Sequence, residues 1–152
     1  MAAAGKWKLY QSAKEFIGDG TIDLDSHTFK IALFTSSSNC DTLTNSQLST
    51  LTNQVANANG YTTGGATLTS VTWTQSGGTA TFDSADPVWT ASGGSITARF
   101  AVIYDDTAAN DELLCVCLLD TAPADVTATA GNTLTIQMNA SGIFTLSGAD
   151  TN

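Results

Sequence analysis

His27 is the single imidazole in the sequence, and it follows Asp25 by two residues. A carboxylate and an imidazole at one strand end are the parts of a general acid–base pair. Covalent chemistry would also need a nucleophile, and no Ser or Cys stands in a Gly-x-Ser-x-Gly elbow. His27 therefore reads as an exposed turn residue. Asp23 and Asp25 flank one loop, and Asp105-Asp106 and Asp111-Glu112 flank another. Oxygen ligands of this kind suit calcium, but the Asp-x-Asp-x-Asp-Gly pattern is absent, so these residues read as solvated loop acids. Cys115 and Cys117 flank Val116 and would share one face of a strand. A disulfide between them would be strained. A metal half-site there would need two more ligands, and Cys40 and His27 are distant in sequence. All three cysteines read as reduced, small apolar residues. The pairs Gly64-Gly65, Gly77-Gly78 and Gly93-Gly94 open no helix with Lys-Ser/Thr, so they read as turns rather than phosphate loops. No catalytic residues, metal or cofactor are expected, and the chain reads as a non-enzyme.

What remains is a binding surface. Trp7, Trp73 and Trp89, with Tyr10, Tyr61 and Tyr104, are the large aromatic residues of a small β core or the rings of a sugar-stacking face. Trp73 and Tyr104 are assigned to the core. Trp7 and Tyr61 are expected as surface anchors, because aromatic residues are enriched at interfaces. The arm Lys6-Trp7-Lys8-Leu9-Tyr10 combines basic and aromatic residues and carries much of the scarce positive charge. Lys6, Trp7, Lys8, Leu9, Tyr10 and Tyr61 are thus the expected partner-binding residues.

These residues must be positioned by β structure. Charged residues make up 12% of the chain, about half the globular norm. Thr and Ser take their place, with 13 Gly against 2 Pro. Branched Thr packs well on a pleated surface, and the composition is poor for a helical bundle. Helical spacing of Leu9, Ala13, Phe16 and Ile17, stopped by Gly18 and Gly20, predicts a short amphipathic helix over 8–17. It packs either on the domain's own core or on a neighbouring subunit. The alternation of Ile22 and Leu24 predicts a strand, and Phe29, Ile31 and Leu33 a second. Thr44-x-x-Gln47 followed by Leu48, Leu51 and Val55 predicts a second helix of about three turns before Gly60.

Beyond Tyr61 every element reads as β. A strand is expected over 67–73, then a hairpin about Gln75–Gly78 into Thr79–Phe82. Asp86–Trp89 reads as an edge strand, because Pro87 cannot donate to a ladder. Ile96–Tyr104 and Leu113–Leu119 read as central strands. Residues 123–132 read as a loop, and 133–138 with 142–146 as a closing hairpin. The expectation is one mainly β domain over 1–152, an antiparallel β-sandwich or barrel-like fold with a short N-terminal helix and one further short helix. Residues 1–20 form the N-terminal arm and helix, and 147–152 a loose tail.

A net charge of −9 makes nucleic acid and anionic membrane poor partners. No apolar run is long enough to span a bilayer, and the first ten residues hold no signal-peptide core. The expectation is a chain made and folded in a cytosol.

Several runs carry a family resemblance: Ile22-Asp-Leu-Asp25, Phe29-Lys-Ile-Ala-Leu33, Gly60-Tyr-Thr-Thr-Gly-Gly-Ala-Thr-Leu68, Phe82-Asp-Ser-Ala-Asp-Pro-Val-Trp89, Ile96–Asp106 and Leu134–Leu146. In this order, over most of residues 10–146, the chain resembles small structural virion proteins of tailed bacteriophages, of the head-decoration or cement kind. The resemblance implies a β protein on the outer capsid surface, made in the bacterial host cytoplasm. It implies that the chain binds the major capsid protein and stabilises the shell. A homo-oligomer is expected, and the choice of a trimer rests on that analogy. The alternative is a tail- or fibre-associated structural or carbohydrate (receptor) binding module. The resemblance brings no catalytic residues.

Overall fold

The computed structural model describes residues 4–148. Its elements run β1 (Lys8–Leu9), α1 (Gln11–Asp19), β2 (Phe29–Phe34), a 3-10 turn (Leu48–Thr50), β3 (Ala66–Thr67), β4 (Thr72–Ser76) and β5 (Thr79–Asp83). Then follow β6 (Val88–Thr90), β7 (Ile96–Ala98), β8 (Phe100–Asp105), β9 (Glu112–Leu118), β10 (Val126–Ala128), β11 (Thr133–Thr135) and β12 (Phe144–Ser147). All strand pairs are antiparallel. The main sheet has the order β1-β9-β8-β2-β3. A three-stranded sheet β12-β5-β4 and two ribbons, β10-β7 and β11-β6, complete a mainly β, sandwich-like fold whose sheets do not close into a barrel.

The two apolar runs become the centre of the main sheet. Every residue of β9 from Glu112 to Cys117 is buried, as is β8 from Ala101 to Asp105. Both faces are therefore covered, as the unbroken run Leu113–Leu119 requires. Helix α1 packs against β9 and buries Ala13, with Phe16 and Ile17 partly buried on the core. Phe29 of β2 meets Phe82 of β5 edge to face at 5.1 Å, which joins the main sheet to the three-stranded one. A register shift after Ile103 leaves Leu114 as an extra residue, since Ile103 faces Cys115 and Tyr104 faces Leu113. Truncating a fully buried residue here, such as Ile103→Ala, should cost about 2–5 kcal/mol.

Several expected elements are redrawn by long-range backbone pairing. Lys8 and Leu9 join β9 as β1, so the helix begins at Gln11; it ends where Gly20 takes φ 82°. Ile22 and Leu24 are buried as expected, but their segment is a turn: Asp23 Oδ1 accepts the N–H groups of Asp25 and Ser26. The three-turn helix from Thr44 does not form. Ser46 O accepts Leu113 N–H, Leu48 N donates to Asp111 O, and Val55 N donates to Leu33 O. These bonds hold the segment extended along β9 and β2, Asn53 takes φ 57°, and a single 3-10 turn is left.

The 67–73 strand splits at Ser70, which has φ 52°. The Gly77-Gly78 hairpin forms as expected, both glycines having positive φ, the signature of a primed turn. The 96–104 strand divides at Arg99. Before it β7 pairs with β10; after it β8 joins the main sheet. The 123–132 loop contains β10. The closing hairpin is absent too, because β11 pairs with β6 and β12 with β5. Of the tail, Ser147 and Gly148 are described; its last four residues, like the first three of the arm, lie outside the described residues.

Candidate functional site

The arm is laid along β9 by its backbone. Gly5 N donates to Leu118 O at 2.8 Å, Lys8 faces Val116, Leu9 faces Cys115, and Tyr10 N donates to Leu114 O. Extended backbone turns successive side chains to opposite sides. Trp7 and Leu9 therefore pack, half-buried, on the core, while Lys6 and Lys8 are exposed. Lys14 on α1 is exposed as well. The two remaining cations are paired: Lys30 Nζ lies 2.9 Å from Asp106 Oδ1, and Arg99 Nε donates to Asp125 Oδ1 at 2.8 Å. Three of the five Lys and Arg residues thus crowd residues 6–14, and the other two are matched by carboxylates. Lys6 and Lys8 make the arm a basic edge on an otherwise acidic domain, whereas on α1 Lys14 is accompanied by the exposed acids Glu15 and Asp19.

Tyr10 and Tyr61, read from sequence as partner contacts, are core residues instead. Tyr10 is fully buried and its hydroxyl donates to Cys40 O. Burial raises the Tyr10 phenol far above its ordinary value, and Cys40, Cys115 and Asp41 add to the rise. Tyr61 is 2% exposed. Its hydroxyl accepts Leu33 N–H at 2.9 Å and the Gln54 side-chain amide at 2.8 Å. Leu33 lies on β2 beyond the stretch that β3 pairs, so the phenol fills a gap in the ladder. Trp89 is buried beside Tyr61. Tyr104 is buried and its hydroxyl donates to Gly64 O. Trp73 is half-buried against Phe144.

The imidazole finds a carboxylate, though not Asp25. His27 Nδ1 lies 2.6 Å from Asp105 Oδ2, and the Asp105 side chain is fully buried. Asp105 Oδ1 also accepts Thr107 N–H at 2.9 Å and Ala108 N–H at 3.1 Å. Asp25 is exposed. The arrangement ties the 23–28 turn to the 105–108 loop, helped by Thr28 N donating to Thr107 Oγ1. No sequence spacing marks Asp105 as the partner, because 78 residues separate it from His27. Asp111, with φ 52°, is held above its ordinary pKa by partial burial and by neighbouring Asp106. Among the described residues, no group of three or more His, Cys, Asp or Glu is placed to hold a metal ion. Cys40, Cys115 and Cys117 are free and buried.

No family model, no curated protein and no solved structure matches this chain.

Proposed function

We propose that this chain is a non-enzymatic structural component of a tailed-phage virion, a decoration protein that binds the outside of the major capsid protein shell and stabilises it. The observation that carries the reading is the pinned arm, which presents Lys6 and Lys8 to solvent while Lys30 and Arg99 are matched internally. A cationic edge on a domain of net charge −9 suits docking on an acidic protein surface and disfavours contact with packaged nucleic acid. The sequence resemblance supplies the kind of surface. The inward placement of Tyr61, Trp89 and Tyr104 removes three rings from any sugar-stacking face, which supports protein docking over the carbohydrate-binding alternative. A homotrimer on the shell would engage several coat subunits at once and gain by avidity.

The test uses purified protein and empty coat shells. Full-length protein should bind the shells and raise their melting temperature. The double charge reversal Lys6→Glu with Lys8→Glu should fold normally and bind about tenfold more weakly at low salt, a loss of ~1.4 kcal/mol. If the full-length protein does not bind shells, the virion reading falls. If the reversal binds as the wild type does, the basic edge is not the contact.

A further inference from the structure

The ribbons β10-β7 and β11-β6 are joined by the 129–132 turn, yet β10 and β11 do not pair with each other. Between them lies a groove of about 580 Å³, with Leu119, Val126, Ala128, Leu134 and Ile136 along it and Ala4 at its margin. That volume is in the range of ordinary ligand sites. Among the described residues no Asp, Glu, Lys or Arg lines it, although the chain carries −9.

The backbone at the rim is what identifies the occupant. Ala91 N donates to Asn132 O, and Ile136 N donates to Pro87 O. In an antiparallel ladder hydrogen-bonded and non-hydrogen-bonded pairs alternate. Asn132, Leu134 and Ile136 therefore turn their backbone groups toward β6. Thr133, Thr135 and Gln137 turn theirs outward, where they line the groove and have no partner among the described residues. On the facing strand, the Thr97 and Thr127 hydroxyls meet at 3.0 Å. Strands β10 and β11 converge at the 129–132 turn, which Asn132 N closes by donating to Thr129 O, so the open edge beside this cleft is the outward edge of β11.

We propose that this groove binds an extended, uncharged polypeptide segment of the partner protein as a strand added to the outward edge of β11, in the order segment-β11-β6. An acyl chain would fill the apolar floor but leave the alternating N–H and C=O groups unpaired. A charged strand would meet no counter-charge. An extended segment with small apolar and Thr-like side chains meets both requirements, by backbone bonding for affinity and alternate side chains for fit. The proposal rests on the docking reading above and names what part of the coat protein is held.

Thr135→Pro deletes an outward N–H and leaves the β6–β11 bonds in place, because Pro is tolerated on an edge strand with its missing donor facing outward. Thr135→Val keeps that N–H and serves as the control. Both variants, checked by near-ultraviolet circular dichroism and melting, are mixed with empty coat shells. The expected result is at least about tenfold weaker shell binding by Thr135→Pro and wild-type binding by Thr135→Val. If Thr135→Pro disturbs the fold, Thr133→Pro, which removes the other outward donor, replaces it. Amide hydrogen exchange at Thr133, Thr135 and Gln137 should be fast in the free protein and slow on shells. Wild-type shell binding by the proline variants, or protection of these amides already in the free monomer, overturns the groove inference and leaves the virion reading standing. If the wild-type protein ignores shells, the virion reading fails. The groove is then judged with a capped peptide, acetyl-Thr-Val-Thr-Ala-Thr-Val-amide, and its N-methylated form. Equal binding of the two peptides, or binding of neither, overturns it.

Discussion

Replacing Tyr61 by Phe removes one oxygen atom and tests whether this ring is a core strut or a docking anchor. That oxygen accepts two hydrogen bonds, from Leu33 N–H at 2.9 Å and from the Gln54 amide at 2.8 Å. The two donors fare differently when it is gone. Gln54 is half-buried and turns its amide to water, at little cost. Leu33 is fully buried in β2, and among the described residues its N–H donates to the Tyr61 hydroxyl alone. An orphaned buried donor costs its full desolvation, about 1–3 kcal/mol. For a chain of this length each kcal/mol moves the melting temperature by about 2–4 °C, so Tyr61→Phe should melt roughly 4–8 °C low for a mid-range loss. Tyr10→Phe is the matched comparison. It strips a donor from the Cys40 carbonyl, and under-satisfied carbonyls are better tolerated than orphaned N–H groups. Its cost should be nearer 1 kcal/mol. Urea unfolding with unchanged m-value measures both. A Tyr61→Phe loss below about 0.5 kcal/mol, or a larger loss for Tyr10→Phe, would falsify the assignment of Tyr61 to the β2 ladder. Undiminished shell binding by the Phe variant at temperatures where it stays folded is expected as well.

Three further outcomes follow from the same structure. His27→Ala should cost about 1–3 kcal/mol, because Asp105 Oδ2 loses its 2.6 Å partner inside the protein; Asp105→Ala should cost more, since three donors lose one acceptor, and reversed ranks in urea melts would refute the clip. Burial pushes the Cys40 and Cys117 thiols up to about 11, so the folded state holds their protons more tightly than the unfolded state; stability should be level below pH 9 and fall between 9 and 11, and a urea midpoint flat across that window would count against it. Gly65→Ala should destabilise by more than about 3 kcal/mol, because its new Cβ would stand against the Ile31 carbonyl at φ +81°, whereas Gly77→Ala, with open space at φ +57°, should lose only about 1–2 kcal/mol; equal melting temperatures for the two would contradict the close approach.

Where a pattern is decided locally, it is legible. The Gly77-Gly78 turn dictates its hairpin, Gly20 stops α1, and the double-faced runs at 100–105 and 112–118 could only be central strands. Where two readings compete, long-range partners decide. Thr44-x-x-Gln47 is a good helix start taken alone, but the segment is recruited by Leu113, Asp111 and Leu33 through backbone bonds that no local spacing encodes. Residues 133–138 and 142–146 look like a hairpin because they are adjacent; each instead finds a strand 43–68 residues earlier. The candidate residues divide in the same way. The exposure of Lys6 and Lys8 is readable because exposed charge is the default for Lys. Tyr10 and Tyr61 were misplaced because an amphipathic ring serves a core equally well once its hydroxyl finds a partner. The outward rim of β11 was invisible, since it depends on which neighbour the strand takes.

The arm separates its role in folding from the proposed contact within six residues, Gly5 to Tyr10. Pairing to β9 uses the backbone of Gly5, Lys8 and Tyr10, and the period-two geometry of an extended chain sends Trp7 and Leu9 inward and Lys6 and Lys8 outward. The inward pair contributes to stability through buried apolar area, which salt leaves untouched. The outward pair contributes almost nothing to folding, because exposed charges with no fixed partner are worth a few tenths of a kcal/mol. Its attraction to an acidic surface, by contrast, should fade as the Debye length shrinks from about 10 Å at 0.1 M salt to 3 Å at 1 M. Stability and shell binding should therefore respond to salt in different ways: melting temperature nearly constant, binding through the lysines falling. A groove-held strand answers to neither lysine, since its backbone bonds are uncharged. The residue of binding that survives 1 M salt in the wild type should then be the part that Thr135→Pro removes.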